Sequence, residues 1–238
     1  MQQAFIFDLD GVLTDTAAYH YRAWKELADE LGLHFGPKDN ELLKGVSRLR
    51  SLEIILERNG VEKSCSPQQK SQWIEQKNAR YQQLIRALTP DDILPGVLAF
   101  LEQARREKIL LAVASASKNA ADVLRALQIS DRFDYIADAQ KIRNPKPHPE
   151  IFLTCANALQ IPPAQCVAFE DAQAGIEAIK AAGMFAVGIG VHVTTVAPDL
   201  MLCGTQELSV PLILEKSERY QQQQENRERV MAKKERMT

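Results

Sequence analysis

Two aspartates near the start of the chain, Asp8 and Asp10, have the spacing of a reactive pair. The apolar run Phe5–Phe7 predicts a buried strand, and the carboxylates follow it at positions i and i+2. In an extended chain that spacing places both side chains on one face. Because like charges this close repel, the pair predicts a hard cation such as Mg²⁺. One carboxylate can then attack an electrophile while the other transfers a proton. The alternative is two solvated aspartates beside a turn at Gly11.

A second candidate segment follows the apolar run 109–114, which predicts another buried strand. Residues 115–119, Ser-Ala-Ser-Lys-Asn, begin a predicted helix there. Small hydroxyl residues and exposed amides at a helix start can bind an anion. Ordinary capping of the helix by Ser117 is the alternative.

Two further segments add charge. Lys146 lies between two prolines, where its ammonium can neutralise a phosphate or a carboxylate; a surface lysine in a turn is the alternative. Glu170 and Asp171 end the apolar run that begins at Cys166. Adjacent acids at a strand end can supply oxygen ligands to Mg²⁺, or they can cap the following helix.

The elements that must position these residues alternate between strand and helix. After residue 93, helical patterns separate short apolar runs, which we predict as strands at 109–114, 135–137, 166–169 and 185–189. The helices between them are predicted at 97–104, 120–127, 149–159 and 174–182. This alternation predicts an α/β fold with a doubly wound, Rossmann-like parallel sheet. In such a sheet the four polar segments converge at the carboxyl ends of the strands.

Residues 15–92 differ from the rest, because they contain helical patterns and no convincing strand. The first helix is predicted from Ala17 to Gly32. We therefore predict a core formed by residues 1–14 and 93–216, with a small α-helical cap domain, 15–92, inserted after the first strand. Residues 217–238 are glutamine-rich and then strongly charged, which predicts a polar C-terminal tail, a solvated helix or a frayed end.

Composition excludes several classes of partner. A formal net charge of −2 over 238 residues gives no electrostatic reason to expect nucleic acid or an anionic membrane. The four cysteines show no CxxC spacing, which favours free thiols over disulfides or metal ligands. With no apolar run of membrane-spanning length and no signal-peptide pattern, a cytoplasmic protein fits best.

Taken together, the strand-end segments resemble the motifs of the haloacid dehalogenase (HAD) superfamily of phosphotransferases. The matching segments are the sequence DLDGVLTDT, the region of Ser115, Lys146 and the pair Glu170-Asp171. Within the superfamily the chain is similar to the β-phosphoglucomutases, on account of the helical insert, His20 and segment 44–48. Relatives often have serine where Ala172 stands, and residues 191–238 diverge from the family pattern.

The resemblance implies roles for the charged residues. Asp8 would be the nucleophile that becomes an aspartyl phosphate, and Asp10 the general acid and base. Mg²⁺ would be bound by Asp8, the backbone carbonyl of Asp10, Glu170 and Asp171, with Lys146 offsetting negative charge.

The resemblance also implies a set of substrate contacts. Ser115 and the Ala116 amide would hold the transferring phosphoryl group, and Arg48, Ser117 and Asn119 a second phosphate. His20 would position Asp10 when the cap closes. Further contacts are expected from Thr16, Trp24, Lys44, Gly45 and Lys77, with hinges at Asp15, Thr16 and the segment near Pro95.

The implied reaction interconverts β-glucose 1-phosphate and glucose 6-phosphate through bound β-glucose 1,6-bisphosphate. The expected partner is a small sugar phosphate, and a monomer is expected. The alternative is a Mg²⁺-dependent sugar-phosphate phosphatase of the same superfamily. A phosphatase needs no second phosphate site, so Arg48 discriminates between the two.

Overall fold

The computed structural model describes residues 3–43, 46–191 and 195–235, of which 227–235 are described by their backbone alone. Within these ranges there are six strands, namely β1 (Ala4–Phe7), β2 (Leu110–Val113), β3 (Tyr135–Ile136), β4 (Cys166–Glu170), β5 (Phe185–Ile189) and β6 (Leu200–Leu202). The same ranges contain nine α-helices: α1 (Ala17–Glu30), α2 (Pro37–Glu41), α3 (Arg48–Arg58), α4 (Pro67–Leu84), α5 (Val97–Arg106), α6 (Ala120–Ala126), α7 (Glu150–Leu159), α8 (Gln173–Ala181) and α9 (Val210–Glu235).

The strands form one parallel sheet in the order β3-β2-β1-β4-β5-β6. Strand β1 is central: Ala4 is opposite Leu110 of β2 on one side and opposite Cys166 of β4 on the other. Successive strands therefore run outward from β1 in both directions. In a parallel sheet this reversal leaves a crevice beyond the carboxyl ends of the central strands. The predicted α/β fold is confirmed, and β6 is a strand that the sequence did not reveal.

Side chains along β1 point alternately to the two faces of the sheet, and both faces are buried. Phe5 and Phe7 face one side, where the ring of Phe7 stacks on Phe169 with centroids 4.6 Å apart and Phe100 of α5 packs against them. The opposite face carries mainly alanines from the neighbouring strands, and α7 and α8 pack there. Because both faces are buried, the central strands are apolar up to Glu170 at the end of β4, as is typical of a parallel sheet.

Helices α1 to α4 form a group with an apolar cluster of its own, centred on Trp24, Leu27, Leu52 and Leu56. The chain enters and leaves this group at one place, since Thr14 forms an antiparallel bridge with Ile93. The division into a core and a cap at residues 15 and 92 remains a prediction, and the paired crossing lies at those boundaries.

The C-terminal segment is helical, and the boundary proposed at 217 falls inside α9. Ser217 is fully buried, and the ring of Tyr220 meets Phe185 edge-on with centroids 5.5 Å apart. The Tyr220 hydroxyl accepts a hydrogen bond from Lys180 Nζ at 3.3 Å. The start of the polar segment therefore packs on the sheet, because Ser217 and Tyr220 lie three residues apart on one face of α9.

Two compositional expectations can be compared with the fold. All four cysteines lie in the described part of the chain and are free, with Cys155 and Cys166 buried. Among the helices of the described ranges, none combines the length and apolarity of a membrane span.

The packing of α9 predicts that Tyr220→Ala lowers the free energy of unfolding by about 2 kcal/mol, because it removes a partly buried aromatic contact. Gln222→Ala, two residues away on the exposed side of the helix, is the matched control. Urea unfolding followed by circular dichroism measures both. Equal midpoints for the two variants would show that α9 contributes no packing at this position.

Candidate active site

The centre of the site is an ion-pair triangle at the carboxyl ends of β1 and β4. Lys146 Nζ donates to Asp8 Oδ1 at 2.7 Å and to Glu170 Oε2 at 2.8 Å. All three side chains are buried, with Glu170 fully inaccessible. Burial opposes the charge of the ammonium, but the carboxylates of Asp8 and Glu170 outweigh it and raise the pKa of Lys146. Three of the predicted site residues are thus brought together by the fold.

The same strand ends form a cation site. Asp8, Glu170 and Asp171 each place a carboxylate oxygen within 4.8 Å of the other two. Burial, followed by the charge of Asp8, raises the pKa of Glu170 well above its usual range. A cation beside these oxygens would favour their ionised forms. Three hard oxygen donors around one point fit a divalent cation.

Two glycines allow the acid pair to approach so closely. A Cβ on Gly175, in the first turn of α8, would lie 2.0 Å from Glu170 Cδ. A Cβ on Gly11 would lie 2.3 Å from Asp171 Oδ2, and Gly11 also has a φ of +76°. In both positions the backbone itself forms the wall against which a carboxylate packs, so a side chain cannot be added without moving the acid.

Asp10 lies beside the start of α1. Thr16 Oγ1 donates to Asp10 Oδ1, and His20 Nε2 lies 3.8 Å from Asp10 Oδ2. Burial, then the charge of Asp8, raises the pKa of Asp10 to about 7, against the lowering effect of the Thr16 hydrogen bond. A carboxyl group with a pKa near neutrality suits both donation and acceptance of a proton.

A cluster on α1 and α4 faces Asp10. Lys77 Nζ lies 2.7 Å from His20 Nδ1 and also lies over the rings of Trp24 and Tyr81, at 5.0 and 4.8 Å from their centroids. Burial, then the nearby Arg48, lowers the pKa of Lys77 well below its usual range. Burial, then Lys77 and Arg48, likewise lowers the pKa of His20. The predicted residues His20, Trp24 and Lys77 therefore form one contact network.

Segment 115–119 is organised by its own hydroxyls. The Ser115 hydroxyl accepts from the Ser117 amide at 3.1 Å, and the Ser117 hydroxyl accepts from the Asn119 amide at 3.2 Å. Ser115, Ala116 and Ser117 line the cleft. Asn119 is buried and forms side-chain hydrogen bonds to Asn78 and Gln82 of α4. Its predicted role in binding a second phosphate remains a prediction.

A cleft of about 660 Å³ lies between the sheet and the helical group. The sheet side contributes Asp8, Asp10, Lys146 and Asp171, and the helical side contributes Arg48, His20, Trp24 and Lys77. Thr16 is buried behind this surface, against Asp10. The predicted contacts Lys44 and Gly45 lie outside the described residues.

Sequence reasoning did not select two cations that line the cleft, Lys118 and Arg143. Both are exposed. Lys118 lies inside the segment singled out for anion binding, so its signal was present in the sequence. Arg143 follows a short edge strand, and nothing local distinguishes it from a solvated loop residue.

This geometry has known counterparts. The family model of the haloacid dehalogenase-like hydrolases matches residues 2–183. The chain therefore belongs to the haloacid dehalogenase-like hydrolase family.

Within that family the similarity to β-phosphoglucomutases is confirmed. The chain is 47% identical over 218 residues to a β-phosphoglucomutase of Bacillus subtilis, covering 92% of this chain and 96% of the relative. A crystal structure of a Clostridium difficile β-phosphoglucomutase superposes with a TM-score of 0.89 at 48% identity, over 92% of this chain and 99% of that one. A phosphorylated carbohydrates phosphatase of Thermotoga maritima is 30% identical, over 88% of this chain and 94% of the relative.

The packing of Glu170 predicts that Gly175→Ala weakens binding of a divalent cation by about 10-fold or more, since displaced ligands typically cost this much. Titration with Mn²⁺ followed by electron paramagnetic resonance measures the affinity. Gly36→Ala is the control, because a Cβ there has no neighbour closer than 3.7 Å. Unchanged Mn²⁺ affinity in Gly175→Ala would show that Glu170 is not a ligand.

Proposed function

We propose that this chain is a phosphotransferase that interconverts β-D-glucose 1-phosphate and glucose 6-phosphate. The observation that carries the proposal is a single cleft with Asp8 and Lys146 on one wall and Arg48 on the other. The similarity to two β-phosphoglucomutases supports the choice of substrate.

The first requirement of the reaction is attack by one anion on another. Two unit charges at 4 Å repel by roughly 4 kcal/mol at an effective dielectric of 20. Lys146, 2.7 Å from Asp8, offsets part of this repulsion and holds the attacking carboxylate in place. Mg²⁺ bound by Asp8, Glu170 and Asp171, with the Asp10 carbonyl, would supply further neutralisation of the phosphoryl oxygens.

The transfer proceeds in two balanced halves. Phosphorylated Asp8 gives its phosphoryl group to the 6-hydroxyl of glucose 1-phosphate, while Asp10 accepts the hydroxyl proton. The product is β-glucose 1,6-bisphosphate, which must then present its other end. The Asp8 carboxylate now attacks the 1-phosphate, the bond from phosphorus to the sugar oxygen breaks, and Asp10 returns the proton to that oxygen.

The bisphosphate has to bind in two orientations. In each orientation, the phosphate group that is not being transferred needs a binding contact of its own. Arg48 begins α3 and lines the cleft, and its planar fork suits phosphate oxygens. Lys118 and Ser117 supply a cation and a hydroxyl from the sheet side. Ser115 and the Ala116 amide remain for the transferring group.

The intermediate also has to be protected from water. The contact network of His20, Lys77 and Trp24 lies on the helical side, facing Asp10. Closure of this wall over the sheet would exclude water and orient Asp10 toward the sugar oxygen. The proposed hinges are Asp15, Thr16 and the segment near Pro95, next to the bridge between Thr14 and Ile93.

The second candidate is a Mg²⁺-dependent sugar-phosphate phosphatase. It is favoured by the 30% identity to a phosphorylated carbohydrates phosphatase of Thermotoga maritima. The ion-pair triangle and the cation site would serve both reactions. The second phosphate contact is therefore the feature that distinguishes the two candidate functions. The proposal otherwise includes a small sugar phosphate as the partner and a cytoplasmic monomer.

We expect Arg48→Ala to lower mutase turnover by about 10-fold or more, because a charge-assisted phosphate contact contributes about 1.5–3 kcal/mol. A ³¹P NMR time course follows β-glucose 1-phosphate with Mg²⁺ and a trace of β-glucose 1,6-bisphosphate. Arg50→Ala is the matched control. Arg50 lies on α3 two residues after Arg48, and its guanidinium pairs with Glu57 at 2.7 Å. Equal glucose 6-phosphate formation in both variants would exclude Arg48 as the second phosphate contact.

We expect Asp8→Asn to abolish both transfer and phosphate release, because the amide is not a nucleophile and cannot form the phosphoenzyme. The same NMR assay, with acid-quenched mass spectrometry for phosphorylated protein, measures this. In the wild-type chain, inorganic phosphate accumulating in place of glucose 6-phosphate would establish the phosphatase.

A further inference from the structure

Glu150 begins α7, and its carboxylate is hydrogen-bonded to the loop that carries Lys146. Oε1 accepts a hydrogen bond from the Arg143 amide at 2.8 Å. Oε2 accepts from the amide of Asn144 at 2.9 Å and from its side-chain Nδ2 at 2.8 Å. The backbone two residues before Lys146 is therefore tied to the first turn of α7.

The carboxylate of Glu150 is ionised in these contacts. The donating amides of Arg143 and Asn144 lower the pKa of Glu150 from its ordinary value. Hydrogen bonds to a charged acceptor are stronger than those between neutral groups. An acid in the first turn also interacts favourably with the helix dipole. Glu150 would keep this second role without the loop, so the two roles have different consequences for Lys146.

Phe152 lies two residues further along α7 and contacts the other end of the Lys146 side chain. Nζ of Lys146 is 5.1 Å from the centroid of the Phe152 ring, while it donates to Asp8 and Glu170. Phe152 is fully buried in the apolar cluster between α7 and the sheet. An aromatic ring within about 6 Å attracts an ammonium. Helix α7 therefore contacts the tip of the lysine and ties the loop at its base.

The position of the Lys146 ammonium matters because two of the three candidate cation ligands accept its hydrogen bonds. A lysine side chain is long and flexible, and fixing it in one geometry costs conformational entropy. A displaced ammonium would leave Asp8 and Glu170 without their counter-charge. The net negative charge at the strand ends would then increase.

We propose that Glu150 is a positioning residue that holds Lys146 between Asp8 and Glu170, with Phe152 supporting the ammonium. Loosening the loop has two effects of opposite sign. Phosphoryl transfer slows, because Asp8 loses the cation that offsets the repulsion between two anions. A divalent cation binds more tightly, because a positive charge has left its neighbourhood. The first effect rests on the proposed function, and the second does not.

The test compares Glu150→Gln with the wild-type chain. The variant keeps the size of the side chain but places an amide donor opposite a donor of the loop. We expect kcat to fall by about 10-fold, the order expected for a lost charged hydrogen bond. Titration with Mn²⁺ followed by electron paramagnetic resonance should show binding tighter by about 3-fold or more. A general loss of order would weaken Mn²⁺ binding, so the sign of the change separates positioning from a purely structural role.

Thr154→Val is the matched control, since the Thr154 hydroxyl donates to the Glu150 carbonyl at 2.7 Å in the same turn of α7. This substitution removes a hydrogen bond from the helix and leaves the side-chain contacts of Glu150 with the loop in place. We expect its kcat and its Mn²⁺ affinity to equal those of the wild type. Unchanged or weaker Mn²⁺ binding in Glu150→Gln, or an unchanged kcat, would overturn the inference.

A double-mutant cycle with Lys146→Met tests whether Glu150 acts through the lysine. Lys146→Met removes the ammonium and keeps an apolar side chain, so Glu150→Gln should change Mn²⁺ affinity no further in that background. Additive changes would contradict the proposal. If Glu150→Gln does not fold, Phe152→Leu replaces it, and tighter Mn²⁺ binding supports the proposal while unchanged or weaker binding overturns it.

Mn²⁺ binding requires no turnover, which separates this inference from the proposed function. A wild-type chain that releases phosphate without mutase turnover would overturn the proposed mutase, and kcat is then measured on phosphate release. A chain without either activity would overturn both candidate functions, and the sign of the change in Mn²⁺ affinity would still decide whether Glu150 positions Lys146.

Discussion

The ammonium of Lys146 lies between the carboxylates of Asp8 and Glu170, and the rest of the site is built around that buried contact. Removing one partner from such a buried pair typically costs about 3–5 kcal/mol, because an uncompensated charge is left in the interior. Here one positive charge serves two carboxylates, with Asp171 close by. The carboxylates outnumber the ammonium, so the remaining negative charge would attract a divalent cation. Burial, followed by the charge of Asp8, raises the pKa of Asp10 to about 7.

The sheet makes this concentration of charge sterically possible. Phe7 and Phe169 are register partners on β1 and β4, so the next residues, Asp8 and Glu170, emerge side by side. The stacked rings of Phe7 and Phe169 pack in the core and hold the two strand ends together. A rigid apolar support allows acids to be held at distances that flexible loops would not maintain.

Much of this arrangement could be predicted from the sequence, because it depends on local patterns. Apolar runs followed by polar residues identify strand ends, and a parallel sheet collects those ends at one edge. Tyr81 carried no such signal, since an apolar-spaced tyrosine on a helix is ordinary until its hydroxyl is seen beside Thr16. The docking of Ser217 and Tyr220 was hidden for a related reason, as the glutamines around them dominate the composition. Strand β6 has three residues and lies at the sheet edge, too short for a periodic pattern.

The crossing between sheet and helical group has a consequence for how such a fold can change. Thr14 and Ile93 are bridged, the Thr14 hydroxyl donates to the Asp92 carbonyl at 2.8 Å, and the Leu94 amide donates to the Leu13 carbonyl at 3.0 Å. The helical group is therefore an insertion whose first and last residues are held together by these hydrogen bonds. An insert whose ends lie this close together can be accommodated without separating the strands that it interrupts. The architecture thus joins the helical group to the sheet at a single crossing, apart from the strand ends that carry Asp8 and Glu170.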